Sequence, residues 1–299
     1  MKTISCISDI PKVVSPIALS IGVFDGVHIG HQTIINKLHQ KTRKQGTRVI
    51  LTFSNHPSEI LSPDTPTPLI SSFSHKLHML EEFGIDLTIA LSFSHAFSEQ
   101  NHEDFLISLF NKLPFDFLIL GKGATFGKNR LGNENSLKKI SQKMKFEIDF
   151  LKKEHSHKEL ISSNWIRKLI EKGSLKKVKK LLGRPFSIRV PFNSEEVTRY
   201  NETLYQWLFH CRGLCLLPSG VYAVDIGGKE KKNAIAFLNG STMLNKQTSL
   251  NVTLYFESMP SHSNELTLYF VGYMHDTLNL DSYKASVPLK TLFPEPTFS

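Results

Sequence analysis

The most informative part of the chain is Ala18-Leu-Ser-Ile-Gly-Val-Phe-Asp-Gly-Val-His-Ile-Gly-His31. Its apolar run from Ala18 to Phe24 predicts a buried strand. From Gln32 to Lys44 the apolar residues recur at helical spacing, so a helix follows. Backbone N–H groups at a helix start attract anions. The stretch therefore predicts an anion-binding loop between a strand and a helix.

The residues of this loop suit phosphate in particular. His28 and His31 bracket the helix start, and two imidazoles there can donate hydrogen bonds to phosphate oxygens. Gly30 permits close backbone approach, and Gly22 and Gly26 permit tight turns. The pattern is neither G-x-G-x-x-G nor a Walker P-loop. Two histidines three residues apart can also simply occupy a loop, but the strand and helix around them favour phosphate binding.

The same alternation of strand and helix continues to about residue 180. Further strands are predicted at Arg48–Phe53, Leu87–Ser92, Phe115–Leu120 and Phe146–Leu151, and helices at His75–Phe83, Glu103–Leu113, Asn135–Met144, Ser162–Lys172 and Ser174–Leu182. This order is typical of βαβ units, so the sequence predicts an α/β fold with a parallel sheet.

The pattern changes after Gly183-Arg184-Pro185, where helical periodicity gives way to short β-rich segments. These segments are Gly220–Ile226, Ala234–Leu238, Leu250–Phe256 and Glu265–Tyr273. They indicate an antiparallel sheet or small barrel. We therefore predict two domains, residues 1–183 and 184–299.

Composition excludes several classes of protein. Hydrophobic residues make up 40% and charged residues 21% of the 299 residues, which is typical of a globular chain. No apolar run reaches the roughly 18–20 residues of a membrane helix, and the amino terminus lacks a signal-peptide pattern. Cys6, Cys211 and Cys215 are too few for a disulfide framework, and no second pair completes a zinc site. We expect a cytoplasmic protein with no membrane partner.

The net charge of +9 is concentrated in one stretch. Residues 151–184 carry eleven Lys and Arg against three Asp and Glu. A solvated helix face explains most of these lysines. A nucleic-acid patch is a weaker interpretation, because no aromatic residues are interleaved with the lysines. A polyphosphate ligand would need only one or two of the cations.

Several motifs resemble one family. The histidine loop resembles the H-I-G-H signature of the nucleotidyltransferase superfamily, and with Phe24-Asp25-Gly26 before it, the bacterial bifunctional riboflavin kinase/FAD synthetase family. Four further stretches resemble that family's motifs in the same order: Thr52-Phe-Ser-Asn-His-Pro57, Gly121-Lys-Gly-Ala-Thr-Phe-Gly127, Ile161-Ser-Ser-Asn-Trp-Ile-Arg167 and Leu182-Gly-Arg-Pro-Phe-Ser-Ile188.

The resemblance implies a fold and a reaction. It implies a Rossmann-like nucleotidyltransferase domain followed by a riboflavin-kinase-like β-barrel. The first domain would transfer AMP from ATP to FMN, giving FAD and pyrophosphate, with Mg²⁺ bridging the phosphates. Such a reaction needs no covalent nucleophile, only positioning and charge neutralisation.

The resemblance also implies roles for particular residues. His28 and His31 would stabilise the α-phosphoryl oxygens, and Arg167 would bind the β- and γ-phosphates. The other residues that would bind ATP are Gly22, Phe24, Asp25, Gly26, Gly30, Ser162 and Ser163. The residues near the flavin would be Asn55, His56 and Pro57. No metal ligand is assigned. Without the resemblance, Arg167 would be read as a surface arginine and His56 as an ordinary loop histidine.

The chain departs from the family pattern in the first domain. Ser54-Asn55 replaces Asp-Pro, Gly123 replaces Asp or Asn, Ala124 replaces Phe, and Asn164 replaces Thr. The histidines, serines and arginine remain. We therefore expect an active adenylyltransferase with an altered pocket around residues 122–125.

The second domain departs further. Pro218-Ser-Gly-Val-Tyr-Ala-Val224 and Leu250–Phe256 resemble strands of the kinase barrel. The family's G-F-P-T-A-N has no counterpart between Arg189 and Leu217, Phe237-Leu238-Asn239 stands for Asn-Ile-Gly, and Asn251 aligns with the expected catalytic Glu. An amide cannot act as a carboxylate base, so the sequence predicts that kinase activity is lost or severely reduced. In the alternative, residues 193–203 supply replacement groups.

Three other interpretations remain open at this point. The chain could phosphorylate riboflavin as well as adenylylate FMN. It could bind nucleotide or flavin without catalysis, for which Gly123 and the missing kinase groups speak. It could bind nucleic acid through residues 151–184, with salt-dependent duplex binding as the test.

Overall fold

A computed structural model describes residues 1–43, 45–152, 154–156, 159–202, 204–227, 232–244, 247–260 and 264–275. The chain divides by contacts into two compact units. The parallel unit comprises Met1–Thr67 and Lys76–Ser162, and the antiparallel unit comprises Pro68–His75 and the residues from Ser163 onwards.

The parallel unit contains the predicted strands and helices of the first 162 residues. Its strands are β1 (Lys2–Ile4), β2 (Ile17–Ile21), β3 (Thr47–Phe53), β4 (Leu87–Leu91), β5 (Phe117–Gly121), β6 (Glu147–Leu151), β7 (His155–Ser156) and β8 (Glu159–Leu160). Its helices are α1 (Ile29–Thr42), α2 (Pro57–Leu61), α3 (Phe73–Glu82), α4 (His95–Ser98), α5 (His102–Lys112) and α6 (Glu134–Met144). Helix α3 belongs to this unit from Lys76 onwards. Strands β1, β7 and β8 and helices α2 and α4 were not predicted.

Six of these strands form one parallel sheet in the order β1-β4-β3-β2-β5-β6. Alternate residues of each strand face opposite sides. Leu19, Leu51 and Leu118 join a core cluster with α5 and α6. Ala18 and Ile50 belong to a second cluster with α1 and α3. Both faces of the sheet are therefore covered, which explains why its strands read as continuous apolar runs.

The antiparallel unit contains the remaining elements. Its helices are α7 (Ser163–Glu171) and α8 (Leu175–Leu182), and its strands are β9 (Phe186–Pro191), β10 (Val197–Arg199), β11 (Tyr205–Arg212), β12 (Gly220–Ile226), β13 (Lys232–Leu244), β14 (Gln247–Phe256) and β15 (Glu265–His275). These strands form one sheet in the order β10-β11-β14-β13-β12-β15-β9. Register shifts in β12–β15 and β13–β14 mark β-bulges, which bend a sheet. The predicted fold class, a parallel α/β domain followed by a barrel-like antiparallel domain, is confirmed.

The division by contacts falls at 162/163, earlier than the change of sequence pattern at 183/184. Helix α8 buries Leu175, Val178, Leu181 and Leu182 and contacts β9 and β15, so α7 and α8 group with the antiparallel sheet. The domain boundary at 183/184 stays a prediction from the sequence pattern.

The part of the chain that the structure describes has no helix long and apolar enough to cross a membrane. Cys6, Cys211 and Cys215 are free thiols, the last two buried. Burial raises the pKa of the Cys211 thiol to about 12, so it is a thiol at neutral pH.

Candidate active site

The histidine loop lies where the strand order of the parallel sheet reverses. Strand β2 pairs with β3 on one side and β5 on the other. The chain runs from β2 through α1 to β3, and later returns through α5 to β5 on the opposite side of β2. In open α/β sheets, ligands bind at the carboxyl ends of strands at such a switch point. Here the loops that leave β2 and β5 meet this edge of the sheet.

The backbone of the histidine loop has an unusual conformation. Phe24, Gly26 and Val27 have positive φ angles of 55°, 73° and 37°. Such angles suit glycine but are strained for Phe and especially for β-branched Val. Both side chains are buried, with Phe24 1% and Val27 0% exposed, so packing holds the strained turn. Gly26 serves the predicted tight turn.

Helix α1 begins at Ile29, earlier than the predicted Gln32, with His28 as the residue before it. The His31 and Gln32 amides donate to the His28 carbonyl at 2.7 and 3.0 Å. The His28 and His31 rings stack, with centroids 3.7 Å apart and planes at 17°. The Phe24 ring lies 4.9 Å from the His31 ring. The structure thus brings together both predicted histidines in one stacked pair at the helix start.

Two glycines give these rings their space. A Cβ on Gly30 would lie 3.2 Å from Cε1 and 3.3 Å from Nδ1 of His28. A Cβ on Gly22 would lie 3.1 Å from the Phe24 ring. Gly22 therefore gives space to the Phe24 ring and does not have the positive φ angle of the predicted tight turn.

Two charged side chains are buried at this loop, and only Asp25 was among the predicted site residues. Asp25 is 4% exposed, and Lys76 of α3 is 7% exposed. Burial lowers the pKa of the Lys76 ammonium to about 8, and attraction to the Asp25 carboxylate opposes this effect. Lys76 precedes the buried Met79 and Leu80 by three and four residues. Its place on the apolar side of a predicted helix was the signal that could have found it.

The predicted flavin residues lie just after β3. The Asn55 side chain donates to the Phe93 carbonyl at 3.0 Å and accepts from the Phe93 amide at 2.8 Å, which joins the loops that follow β3 and β4. His56 Nδ1 accepts from the Ser58 amide at 3.1 Å at the start of α2, whose first residue is Pro57. In the neutral ring, His56 therefore holds its proton on Nε2 and can donate from there.

An aromatic cluster lies beside these residues. Edge-to-face contacts at 5.3–6.1 Å join Phe53, Phe93, Phe97, Phe105 and Phe126. These phenylalanines come from β3, the loops after β4 and β5, α4 and α5, so no single local motif contains all of them. Phe93, Phe97 and Phe126 are half-buried. They offer an apolar surface to a planar ring.

The loop after β5 is held by two glycines and a carboxylate. A Cβ on Gly127 or Gly132 would lie 2.7 or 2.9 Å from Cβ of His102, so both loop ends press against the start of α5. The Gly123 amide donates to Glu134 Oε1 at 3.1 Å. The backbone at Gly123, where the family has Asp or Asn, is thus fixed by a carboxylate from α6.

The other predicted phosphate residues begin α7. Ser162 ends the parallel unit, while Ser163 and Arg167 belong to the antiparallel unit. Arg167 is 8% exposed, and its Nε donates to the Pro68 carbonyl at 2.7 Å. Leu69, next along the chain, pairs with Gly213 and Cys215 at 2.9 and 2.7 Å. Arg167 is therefore a buried residue, and its reading as a surface arginine is wrong.

In the antiparallel sheet, Asn251 lies on β14 opposite His210 of β11. Both are exposed, and His210 Nδ1 lies 2.6 Å from Asn251 Oδ1. The amide oxygen accepts from the imidazole N–H, which leaves Nε2 of His210 as an acceptor. Among the described residues, no group of three or more His, Cys, Asp and Glu side chains could hold a metal ion.

The chain is similar to known proteins of one family. A family model described as FAD synthetase matches residues 10–165. The bifunctional riboflavin kinase/FMN adenylyltransferase of Buchnera aphidicola subsp. Acyrthosiphon pisum is 32% identical over 243 residues, which cover 80% of this chain and 77% of that protein. The protein of the same description from Haemophilus influenzae is 30% identical over 190 residues, 63% and 62% of the two chains.

One solved structure is similar along nearly the whole chain. It is described as a macrolide-efflux protein from Streptococcus pneumoniae, with a TM-score of 0.72 and 23% identity over 94% of this chain and 92% of that one. At this identity the likeness concerns the fold alone. The family model and the Buchnera relative carry the assignment: the chain belongs to the FAD synthetase family and is a nucleotidyltransferase.

Proposed function

We propose that the chain transfers AMP from ATP to FMN, and that its antiparallel unit no longer phosphorylates riboflavin. The stacked pair of His28 and His31 at the start of α1, on the switch-point edge of the sheet, carries the first part of this proposal. Such a pair presents imidazole and helix-start N–H donors to one phosphoryl group.

In this reaction a phosphate oxygen of FMN forms a bond to the α-phosphorus of ATP. The bond from that phosphorus to the oxygen shared with the β-phosphate breaks, and pyrophosphate leaves with the electron pair. His28 and His31 stabilise the charge that develops on the α-phosphoryl oxygens. Ser162, Ser163 and Arg167 hold the β- and γ-phosphates, as the family resemblance implies.

Mg²⁺ enters this proposal with the nucleotide. The ion keeps several waters and is commonly held by substrate phosphates with one or two carboxylates. When bound, the ion neutralises phosphate charge, while the protein residues orient the phosphates.

The aromatic cluster supports a flavin as the second substrate. Half-buried Phe93, Phe97 and Phe126 give an isoalloxazine ring an apolar surface beside the Nε2 donor of His56. Asn55 contributes to the flavin site indirectly. Its side-chain amide is hydrogen-bonded to the Phe93 backbone and so holds together the loops that follow β3 and β4. The free thiols support the cytoplasm as the location.

The second part of the proposal rests on the chemistry at residue 251. Asn251 stands where the family resemblance expects a carboxylate base, and no stretch between Arg189 and Leu217 matches the family's G-F-P-T-A-N. One observation favours the alternative of a retained kinase. His210, hydrogen-bonded to Asn251, has the arrangement of an oriented imidazole base.

The test is to incubate the purified chain with ATP, Mg²⁺ and either FMN or riboflavin, and to separate the flavins by chromatography. We expect FAD from FMN and no FMN or FAD from riboflavin. A parallel preparation of His31→Ala controls for FAD synthetase carried over from the expression host.

Each other outcome contradicts a part of the proposal. FMN formed from riboflavin restores the bifunctional interpretation, and its loss in His210→Ala would assign the base. ATP or FMN binding without pyrophosphate release would make the chain a binding protein, with Gly123 as the first position to restore.

A further inference from the structure

Lys76 makes an unusual set of contacts for a lysine. Its Nζ donates to the Phe53 carbonyl at 2.8 Å, and to the Val23 carbonyl and Thr52 Oγ1 at 3.2 Å each. Thr52 Oγ1 in turn donates to the Val23 carbonyl at 2.9 Å. One ammonium therefore joins the loop that leaves β2 to the end of β3.

A buried ammonium is costly unless its hydrogen bonds are made. All three protons of Lys76 have an acceptor within hydrogen-bond distance, and two of those acceptors are main-chain carbonyls. The carbonyl of Val23, which receives both Lys76 and Thr52, belongs to the residue directly before the strained turn at Phe24. The lysine thus anchors the backbone from which the histidine loop departs.

We propose that Lys76 is a positioning residue for AMP transfer, which fixes the turn at residues 24–27 and through it the His28–His31 pair. This inference rests on the proposed function for its kinetic consequence. Its structural consequence, a loop held by the lysine, can be measured on the chain without substrates.

The protonation of Lys76 gives the inference a pH signature. The Asp25 carboxylate is the charged group that faces it from the β2 loop, and its partners on β3, Thr52 and the Phe53 carbonyl, are neutral. Burial brings the pKa to about 8, below the unfolded value of about 10.4. The Lys76 ammonium is charged below about pH 8, and its charge is lost as the pH rises through that value.

The free energy of unfolding should rise with pH over the same range in which the Lys76 ammonium loses its charge. The unfolded chain binds the proton more tightly than the folded chain, so this group makes the fold more stable as the pH rises from about 8 to about 10.4. A fall in turnover over the same range therefore cannot be attributed to unfolding caused by Lys76.

The experiment compares Lys76→Met and Lys76→Arg with the native chain. For Lys76→Met we expect kcat to fall about tenfold with little change in the KM for FMN, and faster amide exchange in a peptide covering residues 22–32. For Lys76→Arg we expect turnover to be retained within a few-fold and its fall above pH 8 to disappear, since arginine stays charged.

Thr52→Val provides a second variant that keeps the lysine and the side-chain shape, and should change exchange and kcat in the same direction but less. Lys139→Met, at an exposed position of α6, is the matched control and should leave both unchanged.

The exchange measurement separates this inference from the proposed function. If the native chain makes no FAD, the proposed function fails, while faster exchange in Lys76→Met at unchanged melting temperature still supports the anchor. Native exchange at residues 22–32 in Lys76→Met, or a loss of kcat that follows only the loss of folded protein, would overturn it.

Discussion

Replacing either His28 or His31 with alanine is expected to lower kcat for FAD formation by about 10²–10³-fold, the usual effect of removing one donor to a developing oxyanion. The KM for FMN should change little, because the imidazoles act on the α-phosphoryl group of ATP. Melting temperatures report whether the variants fold, and chromatography of FMN and FAD gives the rates.

The stacking adds a second expectation. Since the two rings lie 3.7 Å apart, removal of one also removes the packing surface of the other. The double variant should therefore be no slower than the slower single variant, as for residues that act as a unit. His78→Gln, whose side chain is 34% exposed and pairs with Glu82, is the matched control. Independent, additive losses would contradict the view of the pair as one device.

The parallel sheet and the histidine loop could be predicted from the sequence because the patterns that indicate them are local. Residues 18–31 contain the strand, the glycines and the helix start within one stretch, and each apolar run reflects burial on both faces of the sheet. Strand β1 was missed because Lys2–Ile4 has a single buried residue, too little for a period-two signal.

The remaining features depend on residues far apart in the chain. Arg167 is buried, and its Nε donates to the carbonyl of Pro68, which lies 99 residues earlier in the chain. The two hydrogen bonds of Asn55 go to Phe93, 38 residues away. Side-chain roles of this kind depend on tertiary packing, and a local sequence pattern does not predict them.

Lys76 illustrates the limit most clearly. A lysine in an amphipathic helix is usually assigned to the solvent face, since ammonium groups are seldom buried unless paired. Here the carbonyls of Val23, in the loop after β2, and Phe53, at the end of β3, accept the hydrogen bonds of the ammonium. These two residues come together only because β2 and β3 are neighbours in the folded sheet. Its spacing to Met79 and Leu80 was the one available sign.

Arg167→Lys is expected to lower kcat/KM for ATP by about 10²-fold although the charge is kept. The guanidinium donates from Nε to the Pro68 carbonyl, and its planar fork of N–H donors matches the oxygens of a phosphate. A lysine ammonium is a point charge on a flexible stem and cannot hold both partners in that geometry. Initial rates at varied ATP concentration give the effect.

Arg167→Met separates the anchoring role from the phosphate role. It removes the charge and leaves the Pro68 carbonyl without its donor, which should also lower the free energy of unfolding by about 1–3 kcal/mol. Lys168→Met, at the exposed neighbouring position of α7, should change neither quantity. If Arg167→Lys kept native kcat/KM, a positive charge alone would suffice at this position; if Arg167→Met also kept it, Arg167 would serve only to anchor Pro68, and the phosphates of ATP would need another cation.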